Sequence, residues 1–132
     1  MKKLLMFLVV LACLSLTVGS LLAHHGRGAT YDGDKEIKLT GTLTELAWRN
    51  PHVAIYMDVK DASGKVTNWA FESSNVSTMS REGWSRNILK PGQQITVTFN
   101  PSRAGSPIGV VRTVTLADGT LIRSRGNANT LD

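Results

Sequence analysis

From position 36 onward, apolar and polar side chains alternate along the chain, which is the period of a β-strand with one buried face. The first alternating run predicts a strand from Glu36 to Trp48, and Gly41 within it predicts a bend or bulge. The alternation changes phase at Glu45, and Pro51 ends the run because proline has no N–H to donate to a strand ladder. The pattern therefore predicts a long, bent first strand.

Two further alternating runs, Val53–Lys60 and Val66–Ser73, predict a β-hairpin. A three-residue loop of Ala62-Ser63-Gly64, with the glycine in the left-handed conformation, would pair Asp61 with Lys65. This register places the large apolar side chains on one face, with Val59 opposite Thr67, Met57 opposite Trp69 and Ile55 opposite Phe71. The other face then carries His52, Ala54, Tyr56, Asn68, Ala70 and Glu72, with Glu72 opposite Ala54.

The rest of the chain predicts a short helix and two more strands. Asn75 or Ser77 is the expected N-cap of the helix, which ends before the strands at 95–100 and 108–116. A hairpin turn leads into a tail strand at Leu121-Ile122. The order favours an all-β fold, a small five-stranded OB-like barrel with one short helix between strands 3 and 4. A β-sandwich is the alternative, because element order alone does not determine whether a sheet closes.

The first 23 residues differ from the rest, with two lysines, a nearly uninterrupted apolar run and then small residues. This is the pattern of a secretory signal peptide, and the 15-residue apolar run Leu4–Val18 is too short for a membrane-spanning helix. We therefore predict a periplasmic or secreted protein cleaved after Ala23, with Ser20 as a competing cleavage position. Lipid anchoring through Cys13 is disfavoured because the apolar run continues past it.

These patterns divide the chain into four parts. Residues 1–23 are the signal peptide, and residues 24–35, which are rich in glycine, form a flexible N-terminal segment. Residues 36–122 form the OB-like β domain, and residues 123–132 form a frayed C-terminal tail.

Charge and cysteine content narrow the classes of function. The whole chain has 15 Lys and Arg against 10 Asp and Glu, a net charge of +5. Removing 23 of the 132 residues leaves 109, with 13 basic and 10 acidic side chains and a charge of +3. Acids are interspersed among these cations, which together with export argues against a nucleic-acid partner. The single cysteine, Cys13, lies in the signal peptide, so the mature chain has neither disulfide nor thiol chemistry.

Candidate ligand-binding residues lie on the polar face of strands 1–3, namely Trp48, Asn50, His52, Tyr56 and Glu72. An aromatic platform beside hydrogen-bonding groups suits a small molecule, a glycan or a segment of protein. In the simpler interpretation, Trp48 and Tyr56 only cover the edge of the core. His52 and Glu72 have no nucleophile or second carboxylate at a recognisable spacing, so the sequence favours a binding module over an enzyme.

The three histidines give the alternative function, a copper-binding protein using His24, His25 and His52. Cleavage after Ala23 makes His24 the N-terminal residue, whose amine and ring nitrogen form a chelate suited to Cu(II), and His52 would add a third ligand. If Ala23 instead begins the mature chain, His25 becomes its third residue and binds Cu(II) or Ni(II) with the intervening amides. Neutral imidazole is the ligand form, so acid would weaken either site. The competing interpretation is that the histidine pair is only a solvated chain start.

Several short motifs resemble a family of small exported bacterial proteins of unknown function. They cover most of the mature chain and comprise Ala23-His24-His25, Tyr31-Asp32, Leu39–Glu45, Trp48–His52, Gly83-Trp84, Leu89–Gly92 and Ala117–Gly119. A looser resemblance to the bacterial OB-fold family of periplasmic stress-associated proteins comes from Leu39–Gly41, Asp61–Gly64 and Lys90–Gly92. The first resemblance implies export without an activity, and the second implies the barrel alone.

Overall fold

The computed structural model describes Met1 and residues 30–124 of the chain. The elements within them are β1 (Ile37–Ala47), β2 (Ala54–Lys60), β3 (Val66–Glu72), α1 (Val76–Arg81), β4 (Gln94–Pro101), β5 (Ile108–Leu116) and β6 (Leu121–Arg123). The strands form one sheet in the order β3-β2-β1-β4-β5-β6, and β3 also pairs with β5. This last pairing is parallel and closes five strands into a barrel, whereas the other strand pairs are antiparallel. The OB-like barrel is therefore confirmed over the β-sandwich.

The long strand β1 pairs with β4 along its first half and with β2 along its second half. Its register against β2 shifts between Leu43 and Glu45, where the alternation in the sequence changes phase. The irregularity expected at Gly41 thus lies a few residues further along the strand. Gly41 has a different role, because a Cβ atom at this position would collide with the backbone carbonyl of Asp58. The glycine allows β2 to approach β1 closely.

The hairpin of β2 and β3 has the predicted register, which places Met57 opposite Trp69. At the turn, Gly64 has a φ of 88°, a conformation that glycine adopts without steric cost. The Asp61 carboxylate accepts hydrogen bonds from the Ser63 hydroxyl at 2.6 Å and from the Lys65 amide at 3.0 Å. The bond from the Ser63 hydroxyl is the main reason that the pKa of Asp61 lies below its ordinary value.

The apolar face of the hairpin packs into the barrel interior. Phe71 and Phe99 are fully buried, and their ring centroids lie 4.7 Å apart at an interplanar angle of 57°. Trp69 stacks on Phe71 at 5.9 Å with nearly parallel rings. Burying a phenylalanine side chain contributes roughly 1.5–3 kcal/mol to stability. Phe71 is therefore a core residue, and Trp69 is partly buried and packs against the core.

The helix α1 begins where Asn75 accepts a hydrogen bond from the Thr78 amide at 2.9 Å, so Asn75 is the predicted N-cap. Met79 is buried in the barrel core, and Trp84, just after the helix, is 2% exposed and packs against the same core. No helix within residues 30–124 has the length and hydropathy needed to cross a membrane.

The last described residues continue past the predicted tail strand. Arg123 belongs to β6, and its carbonyl accepts a hydrogen bond from the Trp84 indole at 3.0 Å. Ser124 is buried, with its hydroxyl 2.7 Å from that of Ser73. These contacts attach Arg123 and Ser124, the first two residues of the predicted frayed tail, to the rest of the barrel. Residues 125–132 lie outside the described part of the chain.

Residues 30–35, the second half of the segment predicted as flexible, lie beside the end of β4. The Asp32 amide donates to the Pro101 carbonyl at 2.8 Å, and the Arg103 amide donates to the Thr30 carbonyl at 2.9 Å. Between these two bonds, Tyr31 is 3% exposed. The backbone of this half is therefore held against the barrel, and residues 24–29 lie outside the described residues.

Asn100 in β4 connects residues 30–35 to the barrel. Its side chain is 2% exposed and donates to the carbonyls of Lys35 at 2.7 Å and Gly33 at 3.3 Å. Its oxygen accepts a hydrogen bond from the Arg112 guanidinium of β5. Every hydrogen-bonding position of this amide except one oxygen lone pair is thus occupied, as expected for a buried polar side chain.

Candidate ligand groove

An open groove of about 260 Å³ lies between the β1–β2 loop and the polar face of β2 and β3. We call it the groove. Its lining residues are Tyr31, Arg49, Asn50, Pro51, His52, Ala54, Tyr56, Ala70, Glu72 and Ile108. Four of the five predicted ligand-binding residues are among them, and Trp48 is not.

The groove forms because the side chains at two neighbouring positions of β2 and β3 are small. Ala54 lies opposite Glu72, and Ala70 lies opposite Tyr56, so each alanine faces a larger residue across the hairpin. Ala70 also lies opposite Ile108 on the other side, because β3 and β5 pair in parallel. Alanine side chains end at Cβ and leave space between the taller neighbours, which form the walls.

The β1–β2 loop forms one end of the groove and is attached to α1. The Asn50 side-chain oxygen accepts a hydrogen bond from the Val76 amide at 3.1 Å, and the Asn50–Pro51 peptide bond is cis. Arg49 lies 3.7 Å from Glu45, with 67% and 55% of the two side chains exposed. Such an exposed, solvent-screened ion pair contributes little to stability. The hydrogen bond from Val76 therefore attaches this loop to α1, and the Val53 amide donates to the Ser74 carbonyl at 2.9 Å at the other end of the loop.

Three polar side chains of the groove have no hydrogen-bond or ion-pair partner among the described residues, namely His52, Tyr56 and Glu72. Some polar side chains elsewhere on the barrel bind one another. The Asn68 amide donates to Asp58 at 2.7 Å, and the hydroxyls of Thr40 and Thr96 lie 2.8 Å apart. Tyr56 and Glu72 are also partly shielded from water. The groove therefore concentrates hydrogen-bonding capacity that the described part of the protein does not use.

Trp48, the fifth predicted ligand-binding residue, does not line the groove. Its side chain is half-buried and packs against the hydrophobic core. This agrees with the simpler interpretation that Trp48 covers the core edge. The bulge in β1 explains the difference, because it changes which side chains near the end of the strand face outward.

Tyr31, Arg49 and Ile108 line the groove but were not among the predicted site residues. Ile108 reaches the groove through the β3–β5 pairing, which strand periodicity does not reveal. Tyr31 reaches it through an isolated bridge to Ser102. The only sequence signal for Tyr31 is its place in the Tyr31-Asp32 motif.

The candidate copper ligands are only partly within the described residues. His52 is exposed and lines the groove, whereas His24 and His25 lie outside the described part of the chain. Residues 30–124 contain no group of three or more His, Cys, Asp or Glu side chains placed to hold a metal ion. A metal site of three such ligands that includes His52 would therefore need ligands from outside the described residues.

Fold and groove together define a small, closed, OB-like β-barrel with an open polar groove on one face. The chain matches the family of unknown function DUF6152 over residues 10–112 and belongs to this family. The membership confirms the expected relation to a family without an assigned function. No curated protein and no solved structure matches the chain.

Proposed function

We propose that this protein is an exported binding module that holds a small ligand in the groove. The observation that carries the proposal is the set of unpartnered polar groups on His52, Tyr56 and Glu72. The polar atoms of Tyr56 and Glu72 are accessible to solvent, because no buried side-chain polar atom in the described residues lacks a partner. They are therefore available to donate or accept hydrogen bonds with a ligand in the groove.

The position of the groove in the fold supports the same function. OB-folds bind their ligands on the face of strands 2 and 3 and at the loops between strands 1 and 2 and between strands 4 and 5. The groove uses β2, β3 and the β1–β2 loop, and Ile108 adjoins the β4–β5 loop. A ligand in the groove would therefore contact each of these elements.

The size of the groove limits the ligand. Pockets for drug-sized molecules have volumes of about 300–1,000 Å³, and this groove has about 260 Å³. We therefore infer a ligand of the size of a monosaccharide or an amino acid, or one unit of a longer molecule that continues out of the open groove.

A fragment screen on the mature chain by NMR tests ligand binding. We expect fragments to shift the amide signals of Ala54 and Ala70, the two alanines at the floor of the groove. The substitution Ala70→Leu should abolish these shifts, because the leucine side chain fills the space above the floor. The control is Ala62→Leu, the same change in the exposed hairpin turn, which should leave binding unchanged. If fragments bind Ala70→Leu as tightly as the native chain, the groove is not the binding site.

Export is tested by the N-terminus of the protein made in a bacterial cell. The two lysines and the apolar run of the first 23 residues support cleavage by a signal peptidase. We expect mass spectrometry of the periplasmic fraction to find a chain beginning at His24. A chain that retains Met1 and stays in the cytoplasm contradicts export.

Copper binding is a second candidate function, favoured by the position of Tyr31 in the groove lining. Tyr31 and His52 both line the groove, and Tyr31 follows His24 by seven residues. Seven residues span at most about 24 Å. The amine and imidazole of His24 are thus within reach of His52, and together these groups would supply three nitrogen ligands for Cu(II).

Titration of the chain that begins at His24 with Cu(II) tests this candidate. We expect one ion per chain and at least about tenfold weaker binding in His24→Ala and in His52→Ala. His25→Ala is the control, because His25 contributes no ligand when His24 is N-terminal. Unchanged affinity in His52→Ala would show that the groove has no part in the site, and cleavage after Ser20 would remove the N-terminal chelate.

A further inference from the structure

The charge of the groove points to a cationic ligand. Glu72 is the carboxylate among the lining residues, and it is partly buried without a partner in the described structure. Arg49, the lining guanidinium, already lies 3.7 Å from Glu45, which is outside the lining. Of the Arg and Glu side chains that line the groove, Glu72 is therefore the one without an ion-pair partner among the described residues.

Two aromatic rings line the groove together with this carboxylate. Tyr31 is buried and Tyr56 is half-buried, so both rings lie where water is partly excluded. The face of a tyrosine ring attracts a cation, and the attraction strengthens when the cation loses water. The alanine floor of Ala54 and Ala70 leaves room for a small group between the walls.

From these features we propose that the groove binds a small organic cation, with the alkylammonium group of the ligand next to Glu72 and the tyrosine rings. This inference rests on the proposed function, since it names the ligand class of the same groove. The described residues favour an organic cation over a bare metal ion because they contain no group of three metal-ligating side chains. Carboxylate and aromatic faces suffice for an alkylammonium group, which needs no coordination geometry.

A matched pair of probes tests the charge requirement. Choline and dimethylbutanol are compared by NMR titration of the mature chain at about pH 8. Dimethylbutanol is the uncharged isostere of choline, in which a tert-butyl group replaces the trimethylammonium group. We expect choline to shift the Ala54 and Ala70 amide signals with an affinity about tenfold higher than that of dimethylbutanol. Glu72→Gln should remove this preference. Glu36→Gln, the same change at an exposed position outside the groove, should keep it.

The outcomes separate this inference from the proposed function. If both probes shift the groove signals with equal affinity, the groove is a binding site and the preference for a cation is refuted. If neither probe shifts these signals, the cation inference is refuted, and the fragment screen decides on the groove independently. A preference for choline that persists in Glu72→Gln also overturns the inference, because the charge would then be recognised elsewhere.

A free amine and a lipid headgroup can present the same alkylammonium group. Sedimentation with phosphatidylcholine vesicles distinguishes them. Choline binding without sedimentation identifies a soluble cation, whereas sedimentation that is lost in Glu72→Gln and kept in Glu36→Gln identifies the headgroup. Both results support an alkylammonium ligand, and sedimentation that is unaffected by Glu72→Gln contradicts it.

Discussion

Replacing Asn100 with alanine tests whether the buried amide is what fastens residues 30–35 to the barrel. The substitution removes the hydrogen bonds to the carbonyls of Gly33 and Lys35 and the acceptor for Arg112. A neutral hydrogen bond contributes about 1 kcal/mol to stability, and one to a charged group contributes about 1.5–3 kcal/mol. The carbonyls can recover part of this from water, since residues 33 and 35 are exposed. We therefore expect a loss of about 3 kcal/mol in the free energy of unfolding.

Urea unfolding followed by tryptophan fluorescence measures this loss, because Trp84 is buried in the core. For a domain of this size, about 3 kcal/mol lowers the Tm by roughly 15 °C. The m-value should stay unchanged, since the substitution alters a local network and not the surface exposed by unfolding.

Asn68→Ala is a matched control, because Asn68 is exposed and its amide also donates two hydrogen bonds, to Asp58 at 2.7 Å and to Thr44 at 3.3 Å. Exposed bonds exchange readily with water, so we expect a change within about 0.5 kcal/mol. Equal losses in Asn100→Ala and Asn68→Ala would refute the reasoning, because burial would then have no influence on the strength of the network.

Three further predictions concern the core, the barrel closure and a turn. Phe71→Ala should cost about 3–5 kcal/mol in urea unfolding, because it leaves a cavity against Phe99, and a loss below about 1 kcal/mol would contradict this packing. Gly109→Ala should destabilise the barrel strongly, since its Cβ would collide with the Phe99 ring, and an unchanged Tm would argue against this close approach. The Ser63 hydroxyl lowers the pKa of Asp61, so this carboxylate stabilises the fold above about pH 4 and loses that contribution in acid. Asp61→Asn should therefore flatten the fall in Tm on acidification, and parallel curves for the two chains would refute the assignment.

Much of the fold could be predicted because local patterns are strong in this chain. The hairpin register follows from alternation on both sides of a glycine turn, since a slip of one residue would turn Phe71 out of the core. The helix start follows from Asn75, whose side chain satisfies an amide that the helix leaves free. The phase change at Glu45 marks the bulge, although Gly41 was the residue expected to cause it.

The groove could be predicted only in part. Tyr56 and Glu72 lie on the outward face of a hairpin whose register follows from periodicity, and His52 lies in the loop two residues before β2, so the sequence pattern was enough to bring them together. Trp48 packs against the core instead of lining the groove, because the bulge in β1 alters the outward face near the end of the strand. Tyr31 could not be assigned, since its neighbours in the groove lie far from it in the sequence.

Local patterns along the chain were enough to predict the strands, the hairpin register and the helix cap, because each depends on residues close together in the sequence. The closure of the sheet through β3 and β5, which brings Ala70 next to Ile108, became visible only in the folded barrel. The same is true of Tyr31, which reaches the groove through its bridge to Ser102. These contacts join residues separated by 38 or more positions, and such pairings arise from the packing of the whole barrel, which no local period encodes.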